Sequence, residues 1–202
     1  MPPERFVVFT VSLWGCLGLV LLGAAVSDYR TRRIPNLLVL LGLIMALVWH
    51  VVVPEGQWAF DRRNPGSTGV LGSAAAALVM LGAFFPLWLA RLLGAGDVKL
   101  LTVVGAFFGV RAEQWIQLPS VVLWILVAGG VLSLLRLRSW WRIYMAFQNV
   151  SRLLFATWLR APGTAAQSFD SRKDGVGNLP YAVAIAVGTL SYLVFQTRES
   201  WF

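Results

Sequence analysis

Apolar runs close to the length of a bilayer crossing recur along this chain, and no other feature restricts its fold as much. Six are visible: roughly 6–27, 37–53, 67–90, 98–110 (extendable to 118), 119–135 and 179–196. A helix needs about 20 consecutive apolar residues to cross the hydrocarbon core. The fourth run is the weakest, because its apolar part is short and Arg111, Glu113 and Gln114 interrupt it. Pro119 then marks a break before the fifth. Only 13% of the 202 residues are charged and 58% are hydrophobic, against about 25% charged in ordinary soluble domains. The expectation is an all-α, polytopic membrane protein with about six transmembrane helices. The first run is long, is led by Arg5 alone, and ends in an acid followed by three arginines, so it reads as a retained helix and not a cleaved signal.

Orientation follows from the basic residues. With the N-terminus outside, the inside segments hold Arg30, Arg32, Arg33, Arg91, Lys99, Arg136, Arg138, Arg142, Arg152, Arg160, Arg172 and Lys173. The outside segments hold Arg5, Arg62, Arg63, Arg111 and Arg198. That is 12 of the 17 basic residues against 5, and the richer side faces the cytoplasm. The net charge of +8 therefore points to cytoplasmic loops and anionic lipid headgroups, not to nucleic acid.

The segment 136–178 is too aromatic and leucine-rich to be simple loop. Arg142, Ala146, Asn149, Arg152, Ala156 and Arg160 recur at helical steps, against a remainder holding Trp140, Trp141 and Trp158. This is the pattern of one interfacial amphipathic helix over 139–160, lying along the inner leaflet. A flexible cytoplasmic loop follows to 178. The expected organisation is a single transmembrane domain over 1–202 that includes this segment.

Two acids stand out within that frame. Asp28, in SDYRTRRIPN, closes the first run, and Asp97, in GAGDVK, opens the fourth. The topology was drawn from basic residues alone, yet it puts both at the cytoplasmic ends of their helices. An ionisable residue at such a place is a functional hypothesis by default, and paired carboxylates sharing a proton are a standard means of activating water. The alternatives are structural. Asp28 could be a topogenic residue paired with Arg30 or Arg32, although the C-terminal end of a helix disfavours a carboxylate. Asp97 could be an N-cap after a tight glycine turn. Gly94 and Gly96 leave room for a backbone to approach Asp97, and Lys99 could bias its charge or anchor the helix. His50 falls near the outside end of the second run, away from both acids, where interfacial packing suits it. The single Cys16 excludes an intrachain disulfide and a cysteine-based zinc cluster. No metal site or cofactor is expected.

Asp28 with Arg30, Arg33, Ile34, Pro35 and Asn36, then Gly94, Gly96, Asp97, Lys99 and Leu100, resembles the type IV prepilin peptidases, of the GxGD class of intramembrane aspartyl proteases. The stretch from Leu179-Pro180-Tyr181 to Gly188 is similar to that family's last helix. The resemblance covers roughly 20–110 and 178–195. It implies catalytic roles for Asp28 and Asp97. The room at Gly94 and Gly96 and the charge of Lys99, Arg30 and Arg33 beside these acids make those five the expected substrate contacts. The resemblance also implies a prepilin or pseudopilin precursor as partner, cut at the cytoplasmic face of a bacterial inner membrane. Bifunctional members also N-methylate the product and often carry two CxxC pairs in an extra N-terminal region. This chain begins almost at its first span with one cysteine, so the expectation is a short form without methylase activity, of the Flp/tight-adherence type. The other readings are a silent scaffold subunit of a pilus or secretion system and, less well supported by acids at helix ends, a small transporter.

Overall fold

The computed structural model describes residues 3–56, 66–90, 92–111, 116–136 and 181–201. Among them the elements are helices: α1 (Pro3–Thr31), α2 (Asn36–Val52), α3 (Gly69–Leu89), α4 (Ala95–Phe108), α5 (Gln117–Arg136) and α6 (Tyr181–Trp201). Among the described residues the one β feature is an isolated bridge between Glu55 and Ser67. The chain divides into two compact units, Met1–Gly129 with Pro180–Phe202, and Gly130–Leu179. The end of α5 is the described part of the second unit, and the expected interfacial helix at 139–160, with its loop, lies outside the described residues.

Three helical stretches, Val7–Thr31, Gly69–Leu89 and Gln117–Leu135, are long and apolar enough to cross a membrane, and the 17-residue α2 is apolar throughout. Their outward residues, such as Leu19, Leu41, Leu71, Leu78 and Leu126, are exposed apolar side chains. Exposure of that kind suits lipid, which is as apolar as a protein interior. The chain is an all-α, polytopic integral membrane protein.

α4 differs from the others. Its 14 residues rise about 21 Å at 1.5 Å each, short of the roughly 30 Å core. It packs against α1, α2, α3 and α6, and every residue from Leu100 to Phe108 except Thr102 is buried. A helix sheathed by other helices need not match the bilayer, which is why its apolar run looked weak. Small residues let its neighbours close in. A Cβ on Gly105 would lie 2.8 Å from the Ala76 carbonyl oxygen of α3, and one on Gly42 of α2 would lie 2.8 Å from Val103 Cγ1. Close approach through small residues is the usual basis of helix association in membranes.

The observed ends differ from the expected ones for local reasons. α1 runs on through the polar residues to Thr31, so Asp28 lies inside its last turn. α4 stops at Phe108 because Gly109 adopts φ 65°, ψ 175°, a region open essentially to glycine alone; it does not extend to 118. Pro119 lies in the first turn of α5 and does not break it, since a proline there forfeits only an unpaired N–H.

Candidate functional site

The two acids reach one end of the first unit from opposite chain directions. α1 arrives there with Asp28 near its C-terminus, and α4 leaves from there with Asp97 in its first turn. The two helices touch. Both side chains are buried, Asp28 at 8% and Asp97 at 9% exposure. Burying a carboxylate is costly unless polar partners receive it.

Asp28 is received by the start of another helix. Its Oδ2 accepts a hydrogen bond from the Ala182 backbone N–H at 3.1 Å. That N–H is one of the four at the start of α6 that no carbonyl of its own helix can serve. The end of α1 repels a carboxylate, but the start of α6 attracts one. This tertiary partner supplies what the local sequence lacks. The only trace of it in the sequence is Leu179-Pro180-Tyr181, which marks a helix start without saying what lies over it.

Asp97 is not the N-cap of α4. Gly94 holds that position in an extended conformation, φ −73°, ψ 146°. Asp97 is the third helical residue, its backbone N–H donating to Gly94 O at 3.1 Å, and a carboxylate in the first turn is favoured by the helix dipole. Its side chain folds back over Gly94, where a Cβ would lie 2.8 Å from Asp97 Oδ2. Glycine at 94 therefore makes room for Asp97 itself. A Cβ on Gly96 would meet the Ile34 side chain at 3.3 Å.

The segment between α1 and α2 is folded back against this turn. Arg32 takes a left-handed conformation, φ 55°, and its N–H bonds Asp28 O at 2.9 Å. Ser27 Oγ donates to the Arg33 carbonyl at 2.9 Å, and the Thr31 hydroxyl is shared between that carbonyl at 3.1 Å and Ser27 O at 2.9 Å. Ile34 is thereby delivered to Gly96, Pro35 caps α2 from an extended conformation, and Asn36 Oδ1 accepts from Lys99 Nζ at 2.8 Å. So the structure joins Asp28, Asp97, Gly94, Gly96 and Lys99 in one region. Arg30 and Arg33 lie exposed at its rim. Ile34, Asn36 and Ala182 belong to the region as well. Among the described residues, no three His, Cys, Asp or Glu side chains converge as a metal ion would require.

His50 is at the other end of α4. Its ring is buried, and Nε2 lies 3.1 Å from Ala106 O and 3.3 Å from Phe107 O. Two carbonyl acceptors assign the proton to Nε2. Ser73 Oγ donates to Ala106 O at 2.7 Å. These side chains serve carbonyls in the last turn of α4 that have no partner in their own helix. That is a more specific role than interfacial packing.

The model of the Type IV leader peptidase family matches residues 15–134, which include both acids. A protein of Pectobacterium carotovorum subsp. carotovorum named prepilin leader peptidase/N-methyltransferase is 30% identical over 155 residues, 76% of this chain and 50% of its own length. One of the same name from Burkholderia pseudomallei strain 1026b is 37% identical over 155 residues, 74% of this chain and 43% of its own. The chain thus spans half or less of the curated relatives it matches. No solved structure matches it significantly. With more than half of its residues under the family model, and with the two acids brought to one end of the bundle, the chain belongs to the type IV leader peptidase family.

Proposed function

We propose that this protein is an intramembrane aspartyl endopeptidase that removes the leader of prepilin or pseudopilin precursors, with Asp28 and Asp97 as its catalytic pair. The proposal is supported by two buried carboxylates on helices that touch, with the segment after Asp28 folded back so that Ile34 meets Gly96 and Asn36 accepts from Lys99. The names of the relatives support the substrate class. In the proposed reaction one carboxylate takes a proton from water, which attacks the scissile carbonyl, while the protonated partner donates to the developing oxyanion; collapse of the tetrahedral intermediate then breaks the C–N bond, and the proton taken from water passes to the leaving amine. The Ala182 N–H holds Asp28 in place for this. A helical substrate shields its carbonyls in hydrogen bonds, so the precursor opens to an extended strand beside Asp97.

The bias of basic residues orients this end toward the cytoplasm of a bacterial inner membrane. The exposed Arg30 and Arg33 steer the precursor and the anionic headgroups around it. The 94–97 turn supports the opened strand. The whole chain acts as one peptidase domain. The test is incubation of the purified protein with a candidate prepilin in detergent, followed by N-terminal sequencing. A single new N-terminus just before the apolar helix is expected. Precursor left intact contradicts the proposal.

A further inference from the structure

We propose that Lys99, Asn36 and Ile34 are positioning residues, forming a latch that sets Asp97 at its working distance from Asp28. The assignment rests on the peptidase reading, and it moves Lys99 from the substrate to the protein's own frame.

The latch has one polar and one apolar tie. Lys99 is two residues beyond Asp97 on α4, and its ammonium donates to Asn36 Oδ1 at 2.8 Å. Ile34 packs on Gly96, one residue before Asp97. The two ties thus grip the residues on either side of the acid. At its other end the same segment is fastened to the last turn of α1, through Ser27 and Thr31 on the Arg33 carbonyl and through Arg32 N–H on Asp28 O. Seven residues lie between Asp28 and Asn36, and these bonds remove their freedom to stretch. A shift at either tie therefore becomes a shift between the carboxylates.

Energetics separate this role from a stabilising one. Lys99 and Asn36 are both exposed, and an exposed polar pair adds little to stability. Catalysis is far more sensitive to position, since a displacement of about 1 Å can cost about a hundredfold in rate. Breaking the tie therefore lowers turnover in a protein that remains folded.

Two experiments test it, both on the full chain in detergent. The first measures kcat and KM on a prepilin precursor for wild type, Lys99→Met, Asn36→Leu and the double variant, with Asp97→Asn as the inactive control. Each single variant is expected to lower kcat about tenfold with KM within about twofold, and the double to lose no more than either single. Asn36→Asp, which keeps an acceptor opposite the ammonium, recovers kcat to within about threefold of wild type. A rise in KM at unchanged kcat for Lys99→Met returns that residue to substrate binding and overturns the latch. So does a double variant whose losses multiply. The second experiment needs no activity. In a Cys16→Ala background, Ile34→Cys with Gly96→Cys places two Cβ atoms 3.3 Å apart, close to the separation a disulfide spans. Oxidation is expected to join them, and two thiols that stay open to labelling refute the contact. A wild-type protein that leaves the precursor intact sinks the peptidase reading and this assignment with it. Wild-type cleavage with normal kcat in both latch variants sinks the latch alone.

Discussion

The two ends of α4 both bury polar side chains, and they do so in opposite senses. At the far end, neutral donors meet helix-end carbonyls. His50 and Ser73 serve Ala106 and Phe107, and Ser67 Oγ donates to Val53 O at 2.8 Å. Each of these bonds completes a backbone, and a hydroxyl or neutral imidazole is sufficient for it. At the near end, carboxylates meet helix starts. There an asparagine would accept the Ala182 N–H as well as Asp28 does, at a lower cost of burial. At the far end each of these donors has a backbone acceptor, although His50 Nδ1 and Thr68 Oγ1 are buried there without a hydrogen-bond partner. Hydrogen bonding explains why Asp28 is tolerated at the near end, but not why an acid is used. The difference teaches which buried polar groups are structural and which need a chemical role.

That contrast can be broken, and the largest effect is expected at the near end. Asp28→Asn and Asp97→Asn should each cut cleavage at least about a thousandfold. Thermal melting in detergent should shift little, because the Ala182 bond survives in the first variant. Next comes Gly109→Ala at the far end. Its backbone lies in a glycine-only region and a Cβ would run into Thr68 Oγ1, so a loss of about 1–3 kcal/mol from the backbone alone is expected. Chemical or thermal denaturation reads this, with kcat per folded molecule within about twofold of wild type. His50→Leu should cost about 1–3 kcal/mol by leaving a buried carbonyl unserved, again without a change in kcat per folded molecule. Smallest is Glu55→Gln. It breaks the exposed 2.8 Å pair with Arg111 and should cost less than about 1 kcal/mol in the same melts. A large loss of kcat in His50→Leu would erase the division between the two ends.

Much of the architecture could be read from apolar runs alone, because lipid-facing helices must be apolar for a bilayer's thickness. The reading weakened at α4, where burial by protein replaces burial by lipid and the length requirement lapses. Helix ends depart from the apolar runs where local chemistry decides them. Thr31 continues a helix beyond its apolar run, Gly109 stops one through its backbone, and Pro119 fits a first turn. Asp28 and Asp97 were visible as acids out of place. Their receivers were not, since Ala182 is 154 residues from Asp28 and a backbone N–H has no letter in a sequence. His50 shows the same limit from the other side, its acceptors being 56 and 57 residues away. Gly94 and Gly96 signalled close approach, but the groups that approach them are Asp97 itself and Ile34.

The pairing of Asp28 with Asp97 is tested most directly by single-turnover cleavage of a prepilin, compared across wild type, Asp28→Asn, Asp97→Asn and the double variant, with each product sequenced from its N-terminus. The account predicts one new N-terminus from wild type. All three variants should sit at the background of precursor alone, the double no lower than the singles, because two acids acting as one unit are lost together. An Asp28→Asn protein that turns over near the wild-type rate would contradict it.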